Sequence, residues 1–221
     1  MKKILVINPN RNVAVTEEIK LALSDLGQDA VNIDCITLHD GPPGVETQKD
    51  VECAAALVIE RVAADSADAY VVACFSDPGV LASRSQVEGP VLGIGEAGAL
   101  TAMTLGEKFG VIAILDASVQ RQQRQMRTLG IDSRYAGSKA VGLTVKELSD
   151  ERRTLERMLV AGAWLRDERQ ADVLVLGCAG MARHQATLER ELKLPVVEPS
   201  RAATAMAIGL VDRRSNIRSS K

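Results

Sequence analysis

Two cysteines occupy matching settings in this 221-residue chain. Cys74 stands in Ala73-Cys74-Phe75-Ser76-Asp77-Pro78-Gly79, and Cys178 in Gly177-Cys178-Ala179-Gly180-Met181. Each ends a strongly apolar run and precedes turn residues that open a helical pattern. A thiol placed there lies beside backbone N–H groups at a helix start, which favour the thiolate and can hold a developing oxyanion. One such cysteine alone would most simply be a packed core residue. Two of them, one from each half of the chain, would face a ligand from opposite sides. That geometry suits removing a proton from one face of a carbon and returning one to the other. Cys35 and Cys53 lack this setting, and core packing is expected of both.

Other polar residues have two readings each. Asn8-Pro9-Asn10 follows the first apolar run; an Asn8 amide suits an amide or carboxylate ligand, yet Asn and Pro are also ordinary turn residues. The stretch from Asp40 to Glu46 reads as a loop, either a plain connection or a mobile flap over a site. Gly93-Ile94-Gly95-Glu96-Ala97-Gly98 matches the dinucleotide fingerprint, with Asp116 placed 18 residues beyond Gly98. Against it, the motif is mid-chain, follows a very short strand, and sits on the fourth strand of a half rather than its first. Small residues there also serve close helix–strand packing. His39 and His184 have no partners at ligand spacing, so no metal is expected. His184, six residues past Cys178, is within reach of biasing that thiol but reads more simply as a solvated helix residue.

The elements that must position these residues are short apolar runs alternating with longer amphipathic stretches. Strands are expected at 3–8, 30–36, 69–74, 90–94, 110–115, 140–144, 172–177 and 195–197, and helices at 13–26, 47–66, 79–87, 96–107, 118–129, 147–168, 180–192 and 200–212. Strands that lack alternation and take turns with helices read as a parallel α/β sheet buried on both faces. The chain also repeats itself. Ala67-Asp68 recurs as Ala171-Asp172, Gly89-Pro90-Val91 recurs in role as Leu194-Pro195-Val196, and the run from Ile4 matches that from Gly110. These regularities predict two pseudo-symmetric Rossmann-like halves, 1–96 and 97–212, with a polar tail at 213–221. The last helix of the first half would cross over or return near the C-terminus. Open α/β sheets bind ligands at their strand C-termini, so the site is expected between the halves.

Composition narrows the class. The chain has 27 basic and 29 acidic residues, without the basic excess that tracks nucleic-acid phosphates. Its five aromatic residues leave the core to Ala, Val, Leu and Ile. No uncharged apolar run approaches the roughly 18 residues of a membrane span, and the N-terminus reaches Asn8 before a signal-peptide core is complete. The cysteines show no CxxC and no zinc spacing. A soluble cytoplasmic protein with a small-molecule ligand is expected, acting on neither nucleic acid nor membrane.

With both cysteine motifs in view, the chain resembles the aspartate/glutamate/hydantoin racemase superfamily, and most closely its hydantoin and allantoin racemase branch. The residues that carry this are V-I-N-P-N at 6–10, A-C-F-S-D-P-G at 73–79, G-P-V-L-G-I-G-E-A at 89–97 and L-G-C-A-G-M-A at 176–182. The resemblance implies a cofactor-independent mechanism with Cys74 and Cys178 as acid/base thiols, and a homo-oligomer. It implies substrate contacts from Asn8, Ser76, Asp77, Ala179 and Gly180, partly through their backbone, and places Glu46 near the site. The chain departs from the family pattern at Arg11, at Gly44-Val45 before Glu46, and at 113–116, so the ring specificity does not follow. Rival expectations are an isomerase or decarboxylase of a small dicarboxylate on the same fold, and a cytoplasmic binding protein without catalysis.

Overall fold

A strand covered on both faces has no solvent side, so its sequence need not alternate. In the computed structural model Ile4–Asn8, Ala69–Val72, Phe109–Ala113 and Val173–Leu176 are each buried without interruption. The structure describes residues 1–27 and 31–219, with side chains to residue 212; the expected start of a strand at 30 and the polar tail at 213–221 lie outside the described side chains.

The first sheet holds β1 (Lys2–Asn8), β2 (Val31–Thr37), β3 (Ala69–Val72) and β4 (Val91–Gly93). They are linked by α1 (Val13–Leu23), α2 (Gln48–Ala64) and the short α3 (Val80–Ser83), and α4 (Ile94–Leu105) follows. The second sheet holds β5 (Phe109–Ala113), β6 (Tyr135–Ala140), β7 (Val173–Leu176) and β8 (Val196–Val197), linked by α5 (Asp116–Thr128), α6 (Glu151–Asp167) and α7 (Gln185–Leu192), with α8 (Pro199–Ser219) last. The strand orders are β2-β1-β3-β4 and β6-β5-β7-β8, parallel throughout. The two halves are thus one topology used twice. In each, the chain reverses direction across the sheet at the first and third strands, and a crevice opens at their carboxyl ends.

The repeated dipeptides set strand register. The Asp68 carboxylate accepts the Lys3 N–H at 2.9 Å, and the Asp172 carboxylate accepts the Lys108 N–H at 3.0 Å. The Pro90 carbonyl accepts from Tyr70 N–H at 2.9 Å, and that of Pro195 from Leu174 N–H at 3.0 Å. The halves also exchange a helix: α4 packs on β5, β7 and β8, whereas α8 returns to β1, β3 and β4 and lies against α4. One core cluster therefore runs through both sheets, with Ile4, Val71, Ile94, Ile112, Leu176, Ala203 and Ala207 among its members. Among the described residues no helix is long and apolar enough to cross a membrane.

Several boundaries differ from expectation. The strand expected at 140–144 lies earlier, at β6, whose half-buried Tyr-Ala-Gly-Ser-Lys-Ala gives almost no apolar signal. The helix expected over 79–87 is only α3, because the Ser85 hydroxyl bonds the Ala82 carbonyl at 2.7 Å and turns the chain out. The helix expected from 147 begins at Glu151, capped by Asp150, whose carboxylate accepts the Arg153 N–H at 3.1 Å. That expected over 180–192 divides into a 3₁₀ stretch, Ala179–His184, and α7.

Candidate active site

Cys74 follows β3 and Cys178 follows β7, and the turn after each is built alike. The Asp77 N–H closes on the Cys74 carbonyl at 2.9 Å, and the Met181 N–H on that of Cys178 at 3.1 Å. Each turn carries an amide that favours the thiolate beside it, the Ser76 N–H for Cys74 and the Gly180 N–H for Cys178. The half-buried thiols line one narrow cleft between the halves. Burial pushes Cys74 up to about 12, opposed by the Ser76 amide and by Arg121. It pushes Cys178 up to about 11, opposed by the Gly180 amide and reinforced by Glu46 and Glu198. Both are therefore thiols at neutral pH. Neither rests on a long helix: α3 has four residues and Ala179–His184 is 3₁₀. The expected helix-start field reduces to one amide per thiol.

The residues expected around the thiols separate into two groups. Ser76 and Ala179 line the cleft, and the Gly180 amide pulls the Cys178 thiol down. Asn8 does not face the cleft. Its amide donates to Asn12 O at 3.1 Å and Thr16 Oγ1 at 3.0 Å, and its carbonyl accepts the Asn10 N–H at 3.2 Å. Its neighbour Asn10 is the cleft residue. Glu46 is likewise outside the lining; its Oε1 accepts the Val145 N–H at 2.9 Å, and its carbonyl accepts Arg121 Nη1 at 2.8 Å. The 40–46 loop is thereby tied to the second half.

Asp77 turns away from the cleft. Its left-handed backbone (φ 48°) aims the carboxylate at the start of α4, where it accepts from Gly95 N–H, Glu96 N–H and Gln125 Nε2, each at 2.8 Å. Burial lifts this carboxyl to about 7, while the two backbone amides pull it back. The arrangement accounts for the fingerprint-like glycines. A Cβ on Gly93 would fall inside the Asp77 carboxyl group, and one on Gly95 would strike the Phe75 carbonyl. The helix start where a pyrophosphate would dock already holds an internal carboxylate. Asp116, which stands where the fingerprint would need its ribose-binding acid, is an exposed first residue of α5.

Three wall residues escaped the sequence reading: Ser118, Arg121 and Gln122 of α5, all buried. Their signal was present as polar residues at the i, i+3, i+4 spacing normally filled by a helix's core face. His184 is buried rather than solvated, with Nε2 unpartnered and its pKa lowered by burial. Cys53 is exposed, contrary to the packing expected, and Cys35 is half-buried in β2. Trp164 is half-buried, with Lys139 at 4.8 Å and Arg169 at 5.7 Å from its ring centroid.

The model of the Asp/Glu/hydantoin racemase family matches residues 4–207. Hydantoin racemase of Paenarthrobacter aurescens is 34% identical over 214 residues, covering 95% of this chain and 91% of the relative. The structure of allantoin racemase from Klebsiella pneumoniae superposes with a TM-score of 0.91 at 31% identity, over 96% of this chain and 88% of that one. Allantoin racemase from Pseudomonas fluorescens gives 0.90 at 31% identity, over 95% and 91%.

Proposed function

The chain belongs to the Asp/Glu/hydantoin racemase family, and we propose that it interconverts the two hands of a carbon next to a carbonyl in a hydantoin- or allantoin-like ring, using Cys74 and Cys178 as its acid/base pair. The observation that carries this reading is the matched pair of thiols on one cleft, each under its own backbone amide.

One cysteine enters as thiolate and takes the ring C–H proton, becoming a thiol. The electron pair of that C–H bond moves into the carbonyl as an enolate, held by backbone N–H groups of the two turns. The opposite thiol then delivers its proton to the other face and becomes the thiolate for the next turnover. A ring imide makes the C–H more acidic than that of a free amino acid, which brings it within reach of a thiolate. Each positioned proton transfer is typically worth roughly 10² to 10⁴ in rate. Ser76, Ala179 and Gly180 contact the substrate through the turns, and Asn10 fills the place expected of Asn8. Asn8, Asp77 and Glu46 hold the loops that carry these groups.

Proton NMR in D₂O with hydantoins, allantoin and free amino acids tests the reading on wild type, Cys74→Ser and Cys178→Ser. The expected result is exchange of one ring C–H with loss of optical rotation, abolished or made selective for one enantiomer by either substitution. Absence of exchange in every ring compound would overturn the ring assignment.

A further inference from the structure

Arg121 is the only charged side chain in the cleft wall among the described residues, and it is 9% exposed. Its guanidinium is fixed by three neutral acceptors: the Glu46 carbonyl at 2.8 Å, the Ala117 carbonyl at 3.1 Å and Ser118 Oγ at 3.1 Å. No described carboxylate forms an ion pair with it, and its buried Nε–H has no acceptor. A buried cation is unfavourable unless an anion meets it. Asp50 and Cys74 act on it through charge alone, with no hydrogen bond from the guanidinium to either. Beside Arg121, the Gln122 carbonyl already accepts from Ser138, which leaves the Gln122 amide nitrogen as a further donor at the cleft. This wall therefore offers donors and a positive charge without a matching acceptor.

We infer that Arg121 receives a carboxylate carried on the substrate, so that the preferred ring bears a short acidic side arm rather than an alkyl or aromatic one. The planar guanidinium edge matches a carboxylate in geometry as well as charge. The inference deepens the ring-racemase reading and rests on it for the identity of the ring, but its charge preference is measurable without turnover.

The experiment compares two ligands of nearly the same shape, hydantoin-5-acetic acid and its primary amide. Dissociation constants are measured by calorimetry on the full chain at neutral pH for wild type, Arg121→Gln and Arg121→Lys. Wild type is expected to bind the acid on the order of tenfold to a hundredfold more tightly than the amide, the range of a charge-assisted hydrogen bond. Arg121→Gln should lose that ratio, and Arg121→Lys should keep part of it. A ratio near one in wild type, or a ratio that persists in Arg121→Gln, overturns the inference. Equal weakening of both ligands in Arg121→Gln does so too, since it marks a structural role. Should Arg121→Gln fail to fold, the wild-type ratio and Arg121→Lys decide. Exchange in D₂O on the same samples is scored separately. Selective binding of the acid without exchange would keep the carboxylate site and remove the racemase reading. Exchange of neutral rings with no acid preference would do the reverse.

Discussion

At the scale of single residues, the thiols impose a pH dependence with a definite sign. Burial raises Cys74 to about 12 and Cys178 to about 11, above the ordinary thiol value of 9.0. Folding therefore favours the neutral thiols. Their contribution to stability is complete below pH 9 and is lost as pH climbs toward the folded values. Thermal unfolding followed upward from pH 9 should show a steeper loss for wild type than for the Cys74→Ser/Cys178→Ser double variant. Activity should move the opposite way, because the proposed reaction needs one thiolate: kcat/KM should rise about tenfold per pH unit from 7 to 9. A flat profile over that span would mean that a thiolate already exists in the resting protein. The cysteines were legible in sequence because a thiol between an apolar strand and a turn has little else to do. Arg121 was not, since an arginine within a Gln- and Arg-rich helix looks solvated until the fold buries one face of it.

At the scale of elements, legibility followed burial. The central strands announced themselves as unbroken apolar runs, whereas edge strand β6 needs only one covered side and hid among Gly, Ser and Lys. The start of α4 shows how one pattern serves two physical ends. Glycines that would let a pyrophosphate approach instead let Asp77 do so, and the carboxylate supplies from within the chain the anion that a helix N-terminus prefers. Gly95→Ala tests this at the element where it acts. The added methyl meets the Phe75 carbonyl and lies 3.0 Å from Asp77 Oδ2, neither of which is the free end of a flexible chain. The expected loss is roughly 3 kcal/mol of folding stability by denaturant titration. Tolerance of the methyl within a few tenths of a kcal/mol would contradict the packing described for this turn.

At the scale of the molecule, the internal repeat exposed the two sheets, because register devices such as Asp68 and Asp172 must recur wherever the topology recurs. The ties between the halves carry no such signature. Glu46 and Val145 are 99 positions apart, and nothing in either neighbourhood marks them as partners. Yet this tie, with Arg121 bonded to the Glu46 carbonyl and Arg183 paired with both Glu18 and Glu151, joins one half to the other. Any outward movement of the 40–46 loop must break the Val145–Glu46 hydrogen bond. Glu46→Ala removes the acceptor and leaves a half-buried N–H unmet, at about 1–2 kcal/mol. Glu46→Gln retains an acceptor oxygen in the same place. Hydrogen exchange at the Val145 amide should therefore quicken roughly tenfold in Glu46→Ala and much less in Glu46→Gln, with KM for a ring substrate rising in the same order. Equal protection of Val145 in all three proteins would mean that the halves are held by the exchanged helices α4 and α8 alone, and that the loop moves independently of them.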